Sequence, residues 1–486
     1  MESIVAYVRA NASAMPDKVA VIANDVKLTY AELWREVQGA AEYIRSFGFA
    51  PQSKIVVKVD QDIWFVVACF AIHLSGHVHI PLEKTIGVKG LEDVAATLEA
   101  SMVISDLEPK GDFVSVDSAK VRAIANEHYR EGLRFSLPTS EMLCDILYTT
   151  GTTGKSKGVM LPHRAIVAVS ENVRYAARIN SENIYLVPTP LNHAGAIRKV
   201  YVSMLTGTTV VLIDGLTDIR RFFRYIKEYG VTSVILPPSA VRMLLLLAAK
   251  ELAKYADQLD HIHTGSAAFP EADKERLCAL LPNTRLYYGY GSSEAGCSCL
   301  FNYAEHMGKL NCAGKPNVNA EILIVDDDGN EVKATADNPG LIAVRGSMNM
   351  VGYYNEPELT AKSLRDGVVY TNDLGYVDDE GFLYVIGRRD DVINIGGLKI
   401  APTEVEAVVL RYPGIADCAC FAVQDRMGGA IPKLNIVPDN GCEIDVNDLK
   451  RFMGEYLEAF KIPKTVAFVD SIPKTYNGKT DRKLLK

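Results

Sequence analysis

One stretch of the sequence is made almost wholly of residues that can hold phosphate: Tyr148-Thr149-Thr150-Gly151-Thr152-Thr153-Gly154-Lys155-Ser156-Lys157-Gly158-Val159. The threonines and Ser156 supply hydroxyl donors. The glycines let backbone amides turn toward a ligand, because no Cβ blocks positive φ. The lysines add mobile positive charge. Such a set can cradle a polyphosphate. A Walker A loop is excluded, because G-x-x-x-x-G-K-[ST] needs glycine at 149, where the chain has Thr149. A flexible surface loop rich in turn residues is the plain alternative.

Five further stretches carry chemistry. In Tyr287-Tyr288-Gly289-Tyr290-Gly291-Ser292-Ser293-Glu294 the glycines admit a ligand, Tyr offers a stacking face, and Glu294 is a hard oxygen ligand of the kind Mg²⁺ takes. In Tyr370-Thr371-Asn372-Asp373 a carboxylate after a strand could accept ribose hydroxyls. Gly387-Arg388-Arg389-Asp390 through Gly396-Gly397-Leu398-Lys399 to Glu406 is a charged turn followed by a helix start. Lys479 sits in a basic tail, Pro473-Lys474-Thr475-Tyr476-Asn477-Gly478-Lys479. His193 lies in Pro190-Leu191-Asn192-His193-Ala194-Gly195. Taken singly, these read as a tight turn, an Asn-Asp turn, a charged linker, a solvated tail and a core or surface histidine.

Taken together they resemble the adenylate-forming superfamily of acyl-CoA and aryl-CoA ligases, luciferases and peptide-synthetase adenylation domains. YTTGTTGKSKGVMLPHRAI is similar to that family's phosphate loop, with Thr150 for the usual Ser and Ser156 for the usual Pro. Tyr290-Gly291-Ser292-Ser293-Glu294 matches Y-G-x-T-E, Thr371-Asn372-Asp373 matches T-G-D, and P-K-T-x-N-G-K-x-x-R at the C-terminus matches the catalytic-lysine motif. The resemblance spans nearly the whole chain.

It implies ATP held by Thr149, Thr150, Gly151, Thr152, Thr153, Gly154 and Lys157, and by Gly265, Ser266, Ala267, Tyr290, Gly291, Ser293, Asp373 and Arg388. Tyr290 would meet adenine and Asp373 ribose, while Glu294 and Thr149 would hold Mg²⁺. Lys479, Glu294 and His193 would be catalytic, with Asp390 as the hinge. Gly396, Gly397 and Lys399 would line the approach of CoA. The implied reaction turns a carboxylic acid into an acyl-adenylate and then a thioester. CoA would be the acceptor or, as the alternative, the phosphopantetheine of a separate carrier protein. Pro190 to Gly195 resembles the family's P-x-F-H-x-x-G segment beside the acyl pocket, with Asn192 for the usual aromatic. Peptide-synthetase domains usually carry an Asp in this segment, and its absence here favours an acid without an α-amine.

The surrounding elements must place these groups. At 486 residues two or more domains are expected. Strands alternate with helix-length segments from Val103 to Ile400, predicting mixed α/β layers. The expected fold is a large N-terminal domain of stacked sheets and helices over 1–388 and a small mobile α+β domain over 389–486. Helices are predicted over 63–74, 240–252 and 403–410, with Thr29/Glu32 and Thr403/Glu406 as capping boxes. His73, His77 and His79 suggest a metal site, but no carboxylate or Cys stands beside them in sequence, so they read as structural. A net charge of −8 argues against nucleic acid as the partner. No membrane span or signal peptide is legible, and nine scattered cysteines suit the cytoplasm.

Overall fold

The computed structural model describes residues 2–485 except 151–155, 266, 268, 310, 396–397, 425–429, 440 and 475–479; the side chains of Thr150, Ser156, Asn394, Ile395, Leu398, Lys399 and Ala430 also lie outside the described set. Among the described residues two large sheets dominate. The eight-stranded sheet runs from Gly296–Asn302 through Arg285–Ser292, His261–Gly265, Ser233–Ile235, Ile184–Val187, Thr209–Leu212 and Val19–Ala23 to Val26–Thr29. The seven-stranded sheet runs from Gly352–Tyr353 through Ser156–Pro162, Leu143–Thr150, Val78–Leu82, Lys54–Lys58 and Met102–Ser105 to Val114–Asp117. Their central strands pair in parallel, and each sheet turns antiparallel at the edge that carries a candidate site.

One apolar core joins the two sheets through the helices Ile63–Leu74, His163–Ala177 and Ala194–Thr206. The first of these is apolar at every position but His73 and buried throughout, as a helix sandwiched between layers must be. Asp62 caps its start by accepting from the Ile63 amide at 2.6 Å. A third, six-stranded sheet orders Cys312–Gly314, Leu383–Arg388, Val368–Val377, Gly340–Arg345 and Glu321–Val325, with Leu364–Arg365 also paired to Val368–Val377. From Ile393 onward a small α+β unit buries its own core of Ile393, Ile400, Val405, Val409, Leu434, Ile436, Leu449 and Met453.

Local signals were read well where they act locally. Thr29 and Glu32 form both halves of a capping box on the helix Tyr30–Ser46. Three readings change. The expected helix over 240–252 is two, Pro238–Leu247 and Ala249–Leu252, broken at Ala248. Thr403 caps nothing: the helix Pro402–Val409 starts one residue earlier, with Pro402 in its first turn and no side-chain cap. The Thr403 hydroxyl instead donates to the Ile386 carbonyl at 2.8 Å.

The third change concerns the histidines. Folding brings Cys69, Cys144 and Asp145 to His73 and His79, so potential ligands for a metal are present after all. They are engaged with one another. His73 and His79 donate to Asp145 Oδ1 at 3.1 and 3.0 Å, and the Tyr201 hydroxyl donates to Oδ2 at 2.7 Å. Burial pushes the Asp145 carboxyl up, and these histidines more than offset it, so it ends below the usual carboxylate range. The network anchors Leu143–Thr150, the strand that leads into the phosphate stretch.

Candidate functional site

The glycine-threonine stretch begins on one strand and ends on that strand's antiparallel neighbour. Leu143–Thr150 pairs antiparallel with Ser156–Pro162, placing Thr149 opposite Lys157 and Tyr148 opposite Gly158. Gly158 cannot be larger: a Cβ there would stand 2.8 Å from Ile146 Cγ2 and 3.4 Å from Tyr354 Cβ. Gly151, Thr152, Thr153, Gly154 and the Thr150 side chain fall outside the described residues.

The next strand in this sheet supplies a residue that the motifs do not show. Tyr353 lies opposite Val159. Its ring centroid is 5.7 Å from Lys157 Nζ, and its hydroxyl donates to Glu294 Oε1 at 2.8 Å. Tyr353 therefore ties the phosphate stretch to Glu294, which sits in the turn between Arg285–Ser292 and Gly296–Asn302 of the other large sheet. Burial and then the Glu294 charge raise its hydroxyl pKa, so it remains a donor.

A second cluster stands beside the first. Tyr290 donates to Asp373 Oδ2 at 2.9 Å, and Arg388 Nε lies 3.3 Å from Asp373 Oδ1. Asp373 is not beyond its strand, as the sequence suggests, but inside Val368–Val377 and directly opposite Arg388. Asn372, at φ +64°, turns its amide to Asp390 Oδ2 at 2.7 Å. Asn tolerates that left-handed backbone better than most residues. Tyr290, Asp373, Arg388 and Asp390 are thus contiguous.

The third wall is the helix Ala194–Thr206. His193 is its N-cap, accepting from the Gly195 amide at 3.1 Å through Nδ1. Arg198 on this helix donates to the Ser292 and Ser293 carbonyls, each at 3.1 Å, and so fixes the backbone that carries Ser293 and Glu294. Sequence reasoning missed Arg198 as well. Gly265 pairs with Gly289, and a Cβ on Gly265 would be 2.7 Å from the Gly289 carbonyl oxygen. A Cβ on Gly291 would be 2.0 Å from the Gly296 carbonyl oxygen. The Ala267 carbonyl accepts from the Tyr288 hydroxyl at 3.0 Å. Lys399 pairs through its backbone with Asn394. Ser266, Gly396, Gly397, Lys479 and the Lys399 side chain lie outside the described residues.

The arrangement offers hydroxyls and a lysine for phosphates, a tyrosine beside a carboxylate–guanidinium pair for a nucleoside, and a helix N-terminus with a histidine next to them. A search of family models matches the AMP-binding enzyme family over residues 8–354 and its C-terminal domain over residues 404–479. The chain belongs to the AMP-binding enzyme family.

Among its relatives, the feruloyl-CoA synthase of an Amycolatopsis species is 31% identical over 96% of this chain and 94% of its own length. The 2-succinylbenzoate–CoA ligase of Bacillus licheniformis is 28% identical, covering 98% of each chain. The fold superposes on ATP-bound MatB from Rhodopseudomonas palustris with a TM-score of 0.89 at 22% identity, over 100% of this chain and 98% of that one. The enzyme is an AMP-forming acid–thiol ligase. ATP and a carboxylic acid give an acyl-adenylate and pyrophosphate, and CoA then takes the acyl group. Among the described residues no helix is long and apolar enough to cross a membrane.

Proposed function

We propose that the acid is an aryl carboxylic acid without an α-ammonium group, and that the site residues divide between two half-reactions. The contiguity of Tyr290, Asp373 and Arg388 with the Glu294–Tyr353–Lys157 line carries the assignment of roles. In the first half-reaction Tyr290 stacks on adenine, while Asp373 and Arg388 take the ribose side of the nucleotide. Thr149 to Lys157 hold the outer phosphates, with Ser293 on a phosphate oxygen. The substrate carboxylate attacks the α-phosphorus, the bond to the pyrophosphate oxygen breaks, and Lys479 neutralises the charge that gathers on both oxygens.

Glu294 and the Thr149 hydroxyl are hard oxygen donors that fit Mg²⁺, which when bound neutralises phosphate charge. His193 borders the acyl group. In the second half-reaction the CoA thiolate attacks the acyl carbon and AMP leaves, with Gly396, Gly397 and Lys399 admitting the pantetheine arm. The chain divides at 388/389, and Asp390 is the hinge that exchanges Lys479 for the Gly396-Gly397 face. The separate core of the C-terminal unit supports that division. Nine cysteines without a disulfide favour the cytoplasm. Asn192 at the acyl pocket supports the absence of an ammonium-binding role, and two relatives are named for aryl acids.

Pyrophosphate release across aryl, fatty and amino acids, each with and without CoA, tests the reading. Aryl acids should give the highest turnover, CoA should accelerate it, and an aryl-CoA should appear by mass. Turnover confined to fatty or amino acids would overturn the acid class. A burst of about one pyrophosphate per enzyme that CoA does not relieve would make a carrier protein the acceptor.

A further inference from the structure

A lysine placed in a protein interior loses its hydration and normally recovers it from a carboxylate. Lys199 does not. It lies on Ala194–Thr206, four residues after Gly195 and therefore on the same helix face. Only 2% of its surface is exposed. Its ammonium donates to His263 Nδ1 at 2.6 Å and sits 5.8 Å from the Tyr185 ring centroid. Among the described residues neither Lys199 nor the adjacent, also buried Arg198 forms an ion pair with Asp or Glu. The carboxylate on the neighbouring strand end, Asp260, is taken by Arg285 through both oxygens and by His261.

Other polar groups here are also unmatched. The Tyr185 hydroxyl and Arg198 Nε are buried and without a hydrogen-bond partner among the described residues. His263 offers no charge compensation: burial, and then the Lys199 charge, push it well below the ordinary imidazole value. Burial pulls Lys199 itself down to about 7. Two basic groups and an orphan hydroxyl thus lie close together without a carboxylate paired to either base among the described residues, beside a helix whose N-terminus borders the reacting carboxylate.

We propose that Lys199 and Tyr185, in the positive field of Arg198, form a subsite for a second carboxylate on the acid substrate. The proposal rests on the reading that His193 and its helix border the acyl group. Six residues of helix separate His193 from Lys199, a rise of about 9 Å, so the substrate is a dicarboxylic acid whose far carboxylate stands about that distance from the one activated. Charge-assisted hydrogen bonds from Lys199 and Tyr185 hold it. An analogue without that group leaves the ammonium unpaired in the interior, and such sites discriminate strongly.

The test measures pyrophosphate release with matched pairs of acids that differ only in a distal carboxylate or its methyl ester. Wild type should favour the dicarboxylate by roughly 100-fold in kcat/KM. Lys199→Met should collapse that ratio to near one. Tyr185→Phe, which keeps the ring, should lower it by about 10-fold. Equal changes for both members of a pair, or a wild type indifferent to the distal group, would overturn the subsite. His193→Ala separates the two levels of the argument. It should slow both members alike, and if it slows neither, the acyl-pocket reading itself is wrong and the subsite falls with it.

Discussion

Glu294 and Lys157 lie in different sheets and are joined by one phenol, that of Tyr353. Removing the hydroxyl deletes one charge-assisted hydrogen bond without changing the ring, so Tyr353→Phe should cut pyrophosphate release by about 10-fold. The melting temperature should move by only a few degrees. A loss of stability as large as the loss of rate would make Tyr353 a packing residue. Tyr353 was invisible in the sequence because it stands 59 positions from Glu294, and a two-residue strand brings it there. The motif stretches could be picked out because their residue types and order resemble one family, whereas taken singly each has a plain local reading. Lys479 has a separate test. Lys479→Ala should depress adenylation far more than thioester formation from preformed adenylate, and equal loss in both would remove it from the first step.

At the scale of elements, the two capping-box readings show where sequence reasoning stops. Thr29 and Glu32 satisfy each other, and both partners lie within one turn. Thr403 and Glu406 have the same spacing but find better partners in space. Thr403 goes to Ile386, and Glu406 receives a bidentate Arg482 at 2.8 and 2.9 Å as well as the Cys420 amide at 2.7 Å. Arg482 lies just past the segment that holds Lys479, while Lys474 before it pairs with Thr480 in an antiparallel bridge. The ion pair therefore fastens Arg482 to the helix Pro402–Val409. Glu406→Gln leaves Arg482 half-compensated in a largely buried place and should cost about 3 kcal/mol of stability. Chemical denaturation reads this, and the lost stability should be accompanied by slower adenylation. An unchanged denaturation midpoint would mean that the pair is solvent-screened and structurally idle. The alternation of strands and helices, and hence the α/β layering, was legible from apolar runs, whereas the strand order was not. The contacts of Tyr353 between the two large sheets, of Arg198 between a helix and the Ser292–Ser293 backbone, and of Arg482 within the C-terminal unit were not legible either, because hydrogen bonds over long sequence distances leave no periodic trace.

On the scale of the whole molecule, the layers between the two large sheets bury histidines as neutral groups. Burial holds His77, His79, His261 and His263 below the ordinary imidazole value and brings His163 to about 3. When a folded-state pKa lies below the unfolded one, the unfolded chain binds more protons between the two values. The stability these groups contribute is then complete above the unfolded value near 6.5 and is lost as pH falls below it. Each such histidine contributes a slope of up to about 1.4 kcal/mol per pH unit. Asp145, also depressed, has the same sign, but its loss comes lower, below the usual carboxylate range. Lys199, held near 7, extends a rise above neutrality in the same direction. The melting temperature should therefore drop steeply between pH 6.5 and 5, before the carboxylates titrate. His163→Phe, which replaces a strongly depressed histidine by a ring that cannot charge, should shallow that drop. A melting temperature unchanged across this window in wild type would mean that burial does not keep these histidines neutral in the folded protein.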